Sequence, residues 1–237
     1  MKRIFFLLAA FSFGITLLSA QNTRRYELKF GEFHELKVVD GINVDYISDP
    51  SRAGTVEFMA DQTTASSVIF EPGKGKLSIS LASRDTVYTK LPTVTVYSSF
   101  LSYVKNSGDS TVRVLSPAPV PKFKAQLVGN GRLVARDIEA TEVEGAIYTG
   151  HGIMVLSGET TMAKLNIAGG ASQIQADELK ANEVSCTVTG TGTVNCYAVK
   201  KLSVGGLGSG KVIYRGTPEI KNKLVSKVKV VSLDSAQ

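Results

Sequence analysis

The sequence predicts an all-β protein, a parallel β-solenoid or short β-helix with coils of about 20 residues and a less regular N-terminal β half. Three observations lead to this prediction. Short runs such as "VTVYSS" and "SKVKVVSL" alternate apolar and polar residues, and a period of two is typical of strands. Glycine-containing steps recur at a nearly constant spacing. Apolar residues keep their positions relative to each step, which indicates stacked repeats.

The first 20 residues are expected to be a secretory signal peptide. Lys2 and Arg3 precede an almost unbroken apolar run of 15 residues that ends at Leu18, and Ser19-Ala20 then offers small residues for cleavage. This order is typical of a signal peptide, and the run is shorter than a usual membrane span. We expect an exported mature chain that starts at Gln21, without a transmembrane segment, in the periplasm, at the cell surface or outside the cell.

Residues 21–116 are expected to form an N-terminal β region. Its strand candidates alternate apolar and polar residues but have no constant spacing. A proline-rich stretch, "SPAPVPKF", then predicts a stiff, extended junction to the repeats, which occupy residues 117–237 and end in a capping strand. The strand candidates are Glu35–Val39, Ile42–Ile47, Thr55–Met59, Lys76–Ala82, Thr93–Ser98, Ser102–Lys105 and Thr111–Leu115.

The repeats are defined by five glycine steps whose first residues are 21, 19, 21 and 18 positions apart. Equivalent residues in stacked coils lie about 4.8 Å apart, so aligned apolar residues would form a continuous core. A hairpin meander is the alternative, but it would not require a constant spacing. The steps are Gly129-Asn130-Gly131, Gly150-His151-Gly152, Gly169-Gly170-Ala171, Gly190-Thr191-Gly192 and Gly208-Ser209-Gly210.

Four apolar columns are predicted to point into this core, two before the glycine step and two after it. The columns before the step are Phe123, Val143, Ala163, Val184, Leu202 and Ala125, Gly145, Leu165, Cys186, Val204. The columns after the step are Leu133, Ile153, Ile174, Val194, Val212 and Ala135, Val155, Ala176, Cys196, Tyr214.

A second pattern precedes the repeats, at Gly41-Ile42-Asn43. Ile42 and Val44 fall on one face of a predicted strand and Asn43 on the other. Gly41 follows Asp40 in a turn dipeptide. We expect a structural role for this tripeptide, with Asn43 capping backbone groups of a neighbouring strand or corner, and a ligand-binding Asn43 is the alternative.

The segment "FHELKVVDGINVDYISDP", followed in order by "TVEFMAD", "GKLSISL" and "TVTVYSSFLSYVKNSGDSTV", resembles the putative auto-transporter adhesin family named for its head GIN domain. The glycine-punctuated repeats that follow also fit, so the resemblance covers nearly all of the expected mature chain. It implies a secreted or surface-associated β-protein with an adhesin-like role. It implies no catalytic residues that would be carried over.

The residues that usually carry out catalysis or hold a cofactor do not form a recognisable pattern. His34 and His151, the two histidines, have no partner at metal-ligand spacing. Nucleophile-elbow and nucleotide-loop motifs are missing, and the acidic residues near the coil ends show no stacked pair that recurs on a strand face. We therefore expect a non-enzymatic binding or scaffold protein without cofactor or metal. The alternative is a carbohydrate-active β-helix enzyme, either a polysaccharide lyase or a hydrolase.

The expected partner is an unknown glycan or surface protein. Tyr97, Phe100 and Tyr103 are candidates for stacking on sugar rings, and packing in the core is the alternative. The segment 200–230 has seven Lys and one Arg against a single acid, a net charge of +7, which suits an anionic surface or a solvated edge strand. Nucleic acid is not expected in an exported chain without a basic-aromatic motif. A self-assembling module, and hence a homo-oligomer, is a further alternative.

Cys186 and Cys196 fall in inward columns on either side of the Gly190-Thr191-Gly192 step. Export would permit a disulfide, and a disulfide requires Cα atoms within about 7 Å. Facing sheets lie about 10 Å apart. Two buried thiols and a disulfide that draws the coil together therefore both remain open.

Overall fold

The computed structural model describes residues 23–82, 91–222 and 227–233, and the expected signal peptide at 1–20 lies outside them. The described chain consists mainly of strands, and the strands of the repeats pair in parallel. The all-β, parallel β-solenoid prediction is therefore confirmed, including the spacing of roughly 20 residues between paired positions in neighbouring coils.

Among the described residues, nine strands precede the regular repeats and eight form them. The first group is β1 (Arg24–Lys29), β2 (Glu35–Val38), β3 (Asn43–Ser48), β4 (Thr55–Ala60), β5 (Val68–Gly73), β6 (Lys76–Leu81), β7 (Thr93–Ser98), β8 (Tyr103–Asn106) and β9 (Thr111–Ser116). The second group is β10 (Val120–Val128), β11 (Arg132–Tyr148), β12 (Ile153–Ala168), β13 (Gln173–Thr189), β14 (Thr193–Leu207), β15 (Lys211–Arg215), β16 (Glu219–Asn222) and β17 (Lys229–Ser232).

Two short helical elements interrupt the described part of the N-terminal half, and the sequence patterns did not predict them. A 3-10 turn spans Pro50–Arg52, and α1 spans Gln62–Ser67 between β4 and β5. Asp61 caps α1, because its carboxylate accepts a hydrogen bond from the backbone N–H of Thr64 at 2.9 Å. An Asp at this position is a standard helix-start signal, but six residues are too few to show a helical period.

Each coil adds one strand to each of two facing sheets. The front face contains β6, β2, β8, β10, the C-terminal halves of β11 to β14, and β16. The back face contains β7, β3, β9, the N-terminal halves of β11 to β14, β15 and β17. The long strands β11 to β14 bend round the coil and belong to both faces. Hydrogen bonds therefore join the 17 described strands into one sheet.

The N-terminal coils do not stack in chain order. The coil formed by β2 and β3 lies between the coil of β6 and β7 and the coil of β8 and β9. Strands β8 and β9 in turn pair with β10 and β11, where the regular repeats begin. The N-terminal half is therefore less regular in its connections, as predicted, and its parallel strands extend the same two faces.

Antiparallel strands and aromatic rings close the N-terminal end of the solenoid. On the back face β4 pairs with β7 and β1, and on the front face β5 pairs with β6, all antiparallel. Between them, the Tyr26 and Phe58 rings stack at 5.2 Å, and Phe70 lies 5.7 Å from both Phe58 and Phe30. These rings pack against the apolar core at the end of the solenoid, which water would otherwise contact.

The predicted columns before the glycine step are confirmed by the strand register. The columns after the step contain one register error. Met154 and Leu156 are the buried residues of that coil, whereas the predicted Ile153 and Val155 pair with Arg132 and Val134 and point outward. The four residues Ile153 to Leu156 are all apolar, so alternation could not choose between the two faces, and a slip of one residue exchanges them.

The third glycine step is also displaced by one residue. Gly170 has a φ of +79° and stacks on Gly150, where a Cβ would lie 2.1 Å from the Gly150 carbonyl oxygen. The N–H of Ala171 donates to that oxygen at 3.2 Å. The corner is therefore Gly170-Ala171-Ser172, and the buried Ser172 hydroxyl donates to the Gly150 carbonyl at 3.0 Å.

The closest approach between coils is at Gly108, beneath the corner that joins β2 to β3. A Cβ on Gly108 would lie 1.4 Å from the carbonyl oxygen of Asp40. The fully buried Asn106 supports this corner, since its Oδ1 accepts from the Gly108 N–H at 3.0 Å and its Nδ2 donates to the Ser110 and Arg132 carbonyls at 2.8 and 3.1 Å. These hydrogen bonds hold the corner, because they give partners to backbone groups that would otherwise be buried without one.

We predict that Gly108→Ala lowers the free energy of unfolding by about 3 kcal/mol or more, because the coil of β2 and β3 must move away from the coil below. Gly41→Ala is the matched control: it lies in the corner above, and a Cβ there meets no atom within 4 Å. Its effect should stay within about 0.5 kcal/mol. Urea denaturation measures both values, and equal effects of the two substitutions would show that the close approach does not limit packing.

Candidate functional site

The Gly41-Ile42-Asn43 corner contacts the coil below through Asn43. Ile42 is fully buried, whereas the exposed Asn43 side chain accepts a hydrogen bond at Oδ1 from the N–H of Thr111 at 2.9 Å. In the later coils the amide just after the corner donates to a backbone carbonyl instead, as from Arg132 to Ser110 at 2.9 Å. The Asn43 amide oxygen therefore takes the place of a backbone carbonyl at this corner.

Tyr97, Phe100 and Tyr103 have separate environments. Tyr97 is buried, with the guanidinium of Arg52 3.7 Å from its ring centroid. Phe100 is exposed and stacks on the His34 ring at 5.7 Å. Tyr103 lies on the front face, half-buried, and its hydroxyl donates to Gln126 Oε1 at 2.6 Å. The structure does not join the three rings into one aromatic platform.

Tyr103 lines a trough of about 380 Å³ on the front face. The trough lies where β2, β8 and β10 are adjacent, and its floor and rim combine an aromatic ring with charged groups. Burial of the Tyr103 ring and the nearby carboxylate of Glu35 raise the pKa of the Tyr103 hydroxyl. The lining residues are Glu35, Ser102, Tyr103, Lys122 and Lys124.

A ladder of alternating charges continues from this trough along the front face. Lys122 donates to Glu144 at 2.7 Å and to Glu142 at 3.2 Å, and Lys164 donates to Glu142 at 2.7 Å. The ammonium groups of Lys164 and Lys122 lower the pKa of Glu142 to about 2. Coil stacking produces this ladder, because residues about 20 positions apart become neighbours across adjacent strands.

A second trough, of about 600 Å³, contains a stacked carboxylate pair that the sequence analysis missed. Glu139 on β11 and Glu159 on β12 are register partners, and Lys180 on β13 follows Glu159 in the same column. Both glutamates are exposed. The pair does not recur in the next coil, where Lys180 takes the equivalent position. The repeat spacing contained the signal, since these two residues are 20 positions apart.

The two histidines have different surroundings, and the C-terminal lysines are divided between the two faces. His151 is an exposed corner residue, and Ser102 Oγ is 3.4 Å from Nδ1 of His34. Within the described ranges, no three His, Cys, Asp or Glu side chains come together in a way that would hold a metal ion. Of the basic residues after position 200, Lys201 and Lys221 lie on the front face, whereas Lys211 and Lys229 are register partners on the back face.

Cys186 and Cys196 are both free thiols in the structure, and both are buried. Cys186 lies in the front-face column between Leu165 and Val204, and Cys196 lies in the back-face column next to Ala176. The thiols meet across the core. A hydrogen bond with Cys196 and burial raise the pKa of Cys186 well above its usual value. A thiol in this environment is a poor nucleophile and packs as a small apolar side chain.

Comparison with known proteins identifies a family. The family model described as "Putative auto-transporter adhesin, head GIN domain" matches residues 32–218. The match includes the Gly41-Ile42-Asn43 corner and all the glycine steps, so the resemblance seen in the sequence is confirmed. None of the curated proteins is a significant match to the chain.

Solved structures share the fold at low sequence identity. A putative adhesin from Bacteroides fragilis NCTC 9343 is 20% identical with a TM-score of 0.80, and the alignment covers 90% of this chain and 96% of that chain. A putative adhesin from Parabacteroides distasonis ATCC 8503 is 21% identical with a TM-score of 0.74, over 90% and 98%. A putative lipid binding protein from the same strain is 18% identical with a TM-score of 0.73, also over 90% and 98%. Identities this low establish the fold alone.

Among the described residues, no helix has the length and apolar character needed to cross a bilayer. The longest described elements are instead the strands β11 and β13, each of 17 residues, which bend round the coil.

We predict that Asn43→Leu lowers the free energy of unfolding by about 0.5–1 kcal/mol, because the Thr111 N–H loses its acceptor and only water can replace it. Asn43→Asp keeps an oxygen at the same position and should retain most of the stability. Urea denaturation of the two variants shows whether Asn43 stabilises the fold as a hydrogen-bond acceptor. Equal losses for Leu and Asp, or none for Leu, would contradict it.

The ion pairs of Glu142 should make stability depend on pH. A carboxyl whose folded pKa is lowered stabilises the fold above its unfolded pKa of 4.5, and this contribution is lost as the pH falls toward 2. The stability difference between the wild type and Glu142→Gln should therefore be largest near neutral pH and should shrink through this window in urea titrations at low salt. About 1 M NaCl should also reduce the difference. A difference that is constant with pH would contradict the prediction.

Both cysteines should resist alkylation in the folded protein, because they are buried and the thiolate of Cys186 is disfavoured. After unfolding in urea without a reductant, iodoacetamide should add two groups, which mass spectrometry detects as a mass shift. A protein that adds no groups in urea until a reductant is supplied would instead contain a disulfide.

Proposed function

This chain belongs to the family described as putative auto-transporter adhesin, head GIN domain, and on that premise we propose that it is an exported, non-enzymatic binding module of the cell envelope. It presents one face of a rigid solenoid to a glycan or to a surface protein. Export follows from the signal-peptide pattern in residues 1–20.

The observation that carries the proposal is the continuous front face. Nine parallel strands in register, from β6 to β16, place their outward side chains in straight columns among the described residues. Several of these columns contain charged residues, such as Lys122 next to Glu142, and strand pairing holds the backbone beneath them. Stacked repeats of this kind form extended binding surfaces, because each coil adds the same small area.

The ion pairs on this face support a binding role, because they prevent the build-up of one sign of charge that would repel a partner. Lys122, Lys164, Glu142 and Glu144 neutralise one another, so an approaching polymer meets fixed, alternating charges. Such exposed pairs contribute little to stability. Their regular spacing instead provides specificity, since a partner must match the charge pattern.

A glycan and matrix-protein array with the purified protein tests the proposal. Reproducible binding to a defined class of glycan or protein is expected, and it should be lost after thermal denaturation. Light scattering at the same concentrations separates binding by single chains from binding by assemblies of chains. A folded protein that binds nothing on the array would contradict the proposal.

A carbohydrate-active enzyme is the second candidate, and the pair Glu139 and Glu159 is the observation that favours it. Retaining glycosidases place two carboxyl groups about 5–5.5 Å apart, and residues paired across parallel strands have a similar backbone spacing of about 4.8 Å. Release of reducing ends or unsaturated products from polysaccharides, abolished by Glu139→Gln or Glu159→Gln, would establish it. Our proposal expects no release in the wild type.

A further inference from the structure

Two lysines on the front face are stacked directly on each other without a counter-charge. Lys37 on β2 and Lys105 on β8 are register partners, and both are half-buried. In the part of the chain that the structure describes, neither ammonium group has a carboxylate or hydrogen-bond partner. Like charges opposite each other on neighbouring strands are destabilising, so an anion bound between them would relieve a repulsion that is built into the fold.

The neighbouring column shows that the same face can neutralise its lysines. Two residues earlier on each strand, Lys76 pairs with Glu35 at 3.1 Å and Lys124 pairs with Glu144 at 3.5 Å. Within the lysine column itself, Ser78 is next to Lys37 and Gln126 is next to Lys105, and both are neutral. The positive charge of Lys37 and Lys105 is therefore concentrated at one place.

An aromatic ring lies beside this charge. Tyr103 precedes Lys105 by two residues on β8 and therefore projects from the same face. Its hydroxyl is held by Gln126 Oε1 at 2.6 Å, and its ring borders the trough of about 380 Å³ that Lys122 and Lys124 also line. A flat ring next to ammonium groups matches a sugar that has an apolar ring face and an anionic substituent.

We propose that Lys37, Lys105 and Tyr103, here called the basic-aromatic patch, bind an acidic polysaccharide. The two ammonium groups bind carboxylate or sulfate groups of the polymer, and Tyr103 packs against a sugar ring. This inference rests on the proposed function and names the ligand class and its site. The lysines lie in successive coils, so the polymer runs along the solenoid axis. The lysine ammonium group is a compact point charge and can pair with either anionic group.

The test measures binding of the purified protein to three polymers by calorimetry at low salt. Polygalacturonate supplies carboxylates, dextran sulfate supplies sulfates, and unmodified dextran is neutral. The wild type should bind one or both acidic polymers and not dextran, and the affinity should fall as salt is added. The stronger of the two acidic polymers identifies the anionic group.

Substitutions then locate the site. The double variant Lys37→Gln, Lys105→Gln should bind the acidic polymer roughly tenfold more weakly or worse. Tyr103→Leu should also weaken binding, whereas Tyr103→Phe keeps the ring and should bind nearly as the wild type does. The matched control is Lys211→Gln, Lys229→Gln, which removes an equally stacked lysine pair from the back face and should leave the affinity within about twofold. Circular dichroism and urea denaturation confirm that each variant is folded.

The outcomes separate this inference from the function on which it rests. Equal losses in the two double variants would show non-specific attraction and overturn the patch. A wild-type protein that binds neutral glycans or proteins on the array, but neither acidic polymer, would also overturn the patch while the binding function stands. A protein that binds neither acidic polymer nor anything on the array would contradict both.

Discussion

The close approach of successive coils at their corners is the constraint on which the rest of the structure depends. Parallel strands pair only when they lie about 4.8 Å apart, and both faces meet at these corners. At Gly108 and Gly170 a side chain would overlap the carbonyl of the coil above, so the strand hydrogen bonds on either side require a residue without Cβ. Asn106 and Asn43 satisfy the backbone groups that the tight corner leaves unpaired. The Gly41-Ile42-Asn43 motif is thus part of the same corner system as the glycine steps.

The surface follows from this stacking as directly as the core does. Once the corners are in register, every outward position becomes a column, and the charge of one residue is set against its counterparts in the coils above and below. Lys122, Glu142 and Lys164 neutralise each other for this reason. Lys37 and Lys105 break the pattern on the front face, as Lys211 and Lys229 do on the back face. The fold therefore determines both the neutral ladder and the exceptions to it.

Regularity decided how much of the fold could be predicted from sequence. Seven of the nine described strands before residue 117 were predicted to within about one residue at each end, because their alternation is clear, whereas β1 and β5 were not predicted. The columns through Phe123 and Ala125 are correct. The register around Ile153 could not be predicted, since four consecutive apolar residues suit either face. The insertion of the β2–β3 coil between two later coils leaves no mark in the sequence spacing.

The candidate sites also differ in whether the repeat spacing could have predicted them. Glu139 and Glu159 are one repeat apart and could have been found from the register, whereas Lys37 and Lys105 belong to coils that are adjacent only through the altered stacking order. Tyr97, Phe100 and Tyr103 are close in sequence, yet the turn between β7 and β8 sends them to different surroundings.

The stacking order also makes the two ends of the molecule unequal in how they can change. The coil of β2 and β3 is held between coils on both sides, and an aromatic cluster closes that end, so an added or deleted coil there would disrupt several contacts at once. From β10 onward the strands of each described coil pair with those of the coil before and the coil after. Duplication of a single coil in this part preserves every interface type. The length of the front face is thus a quantity that evolution can adjust in single steps, while the closed end stays constant.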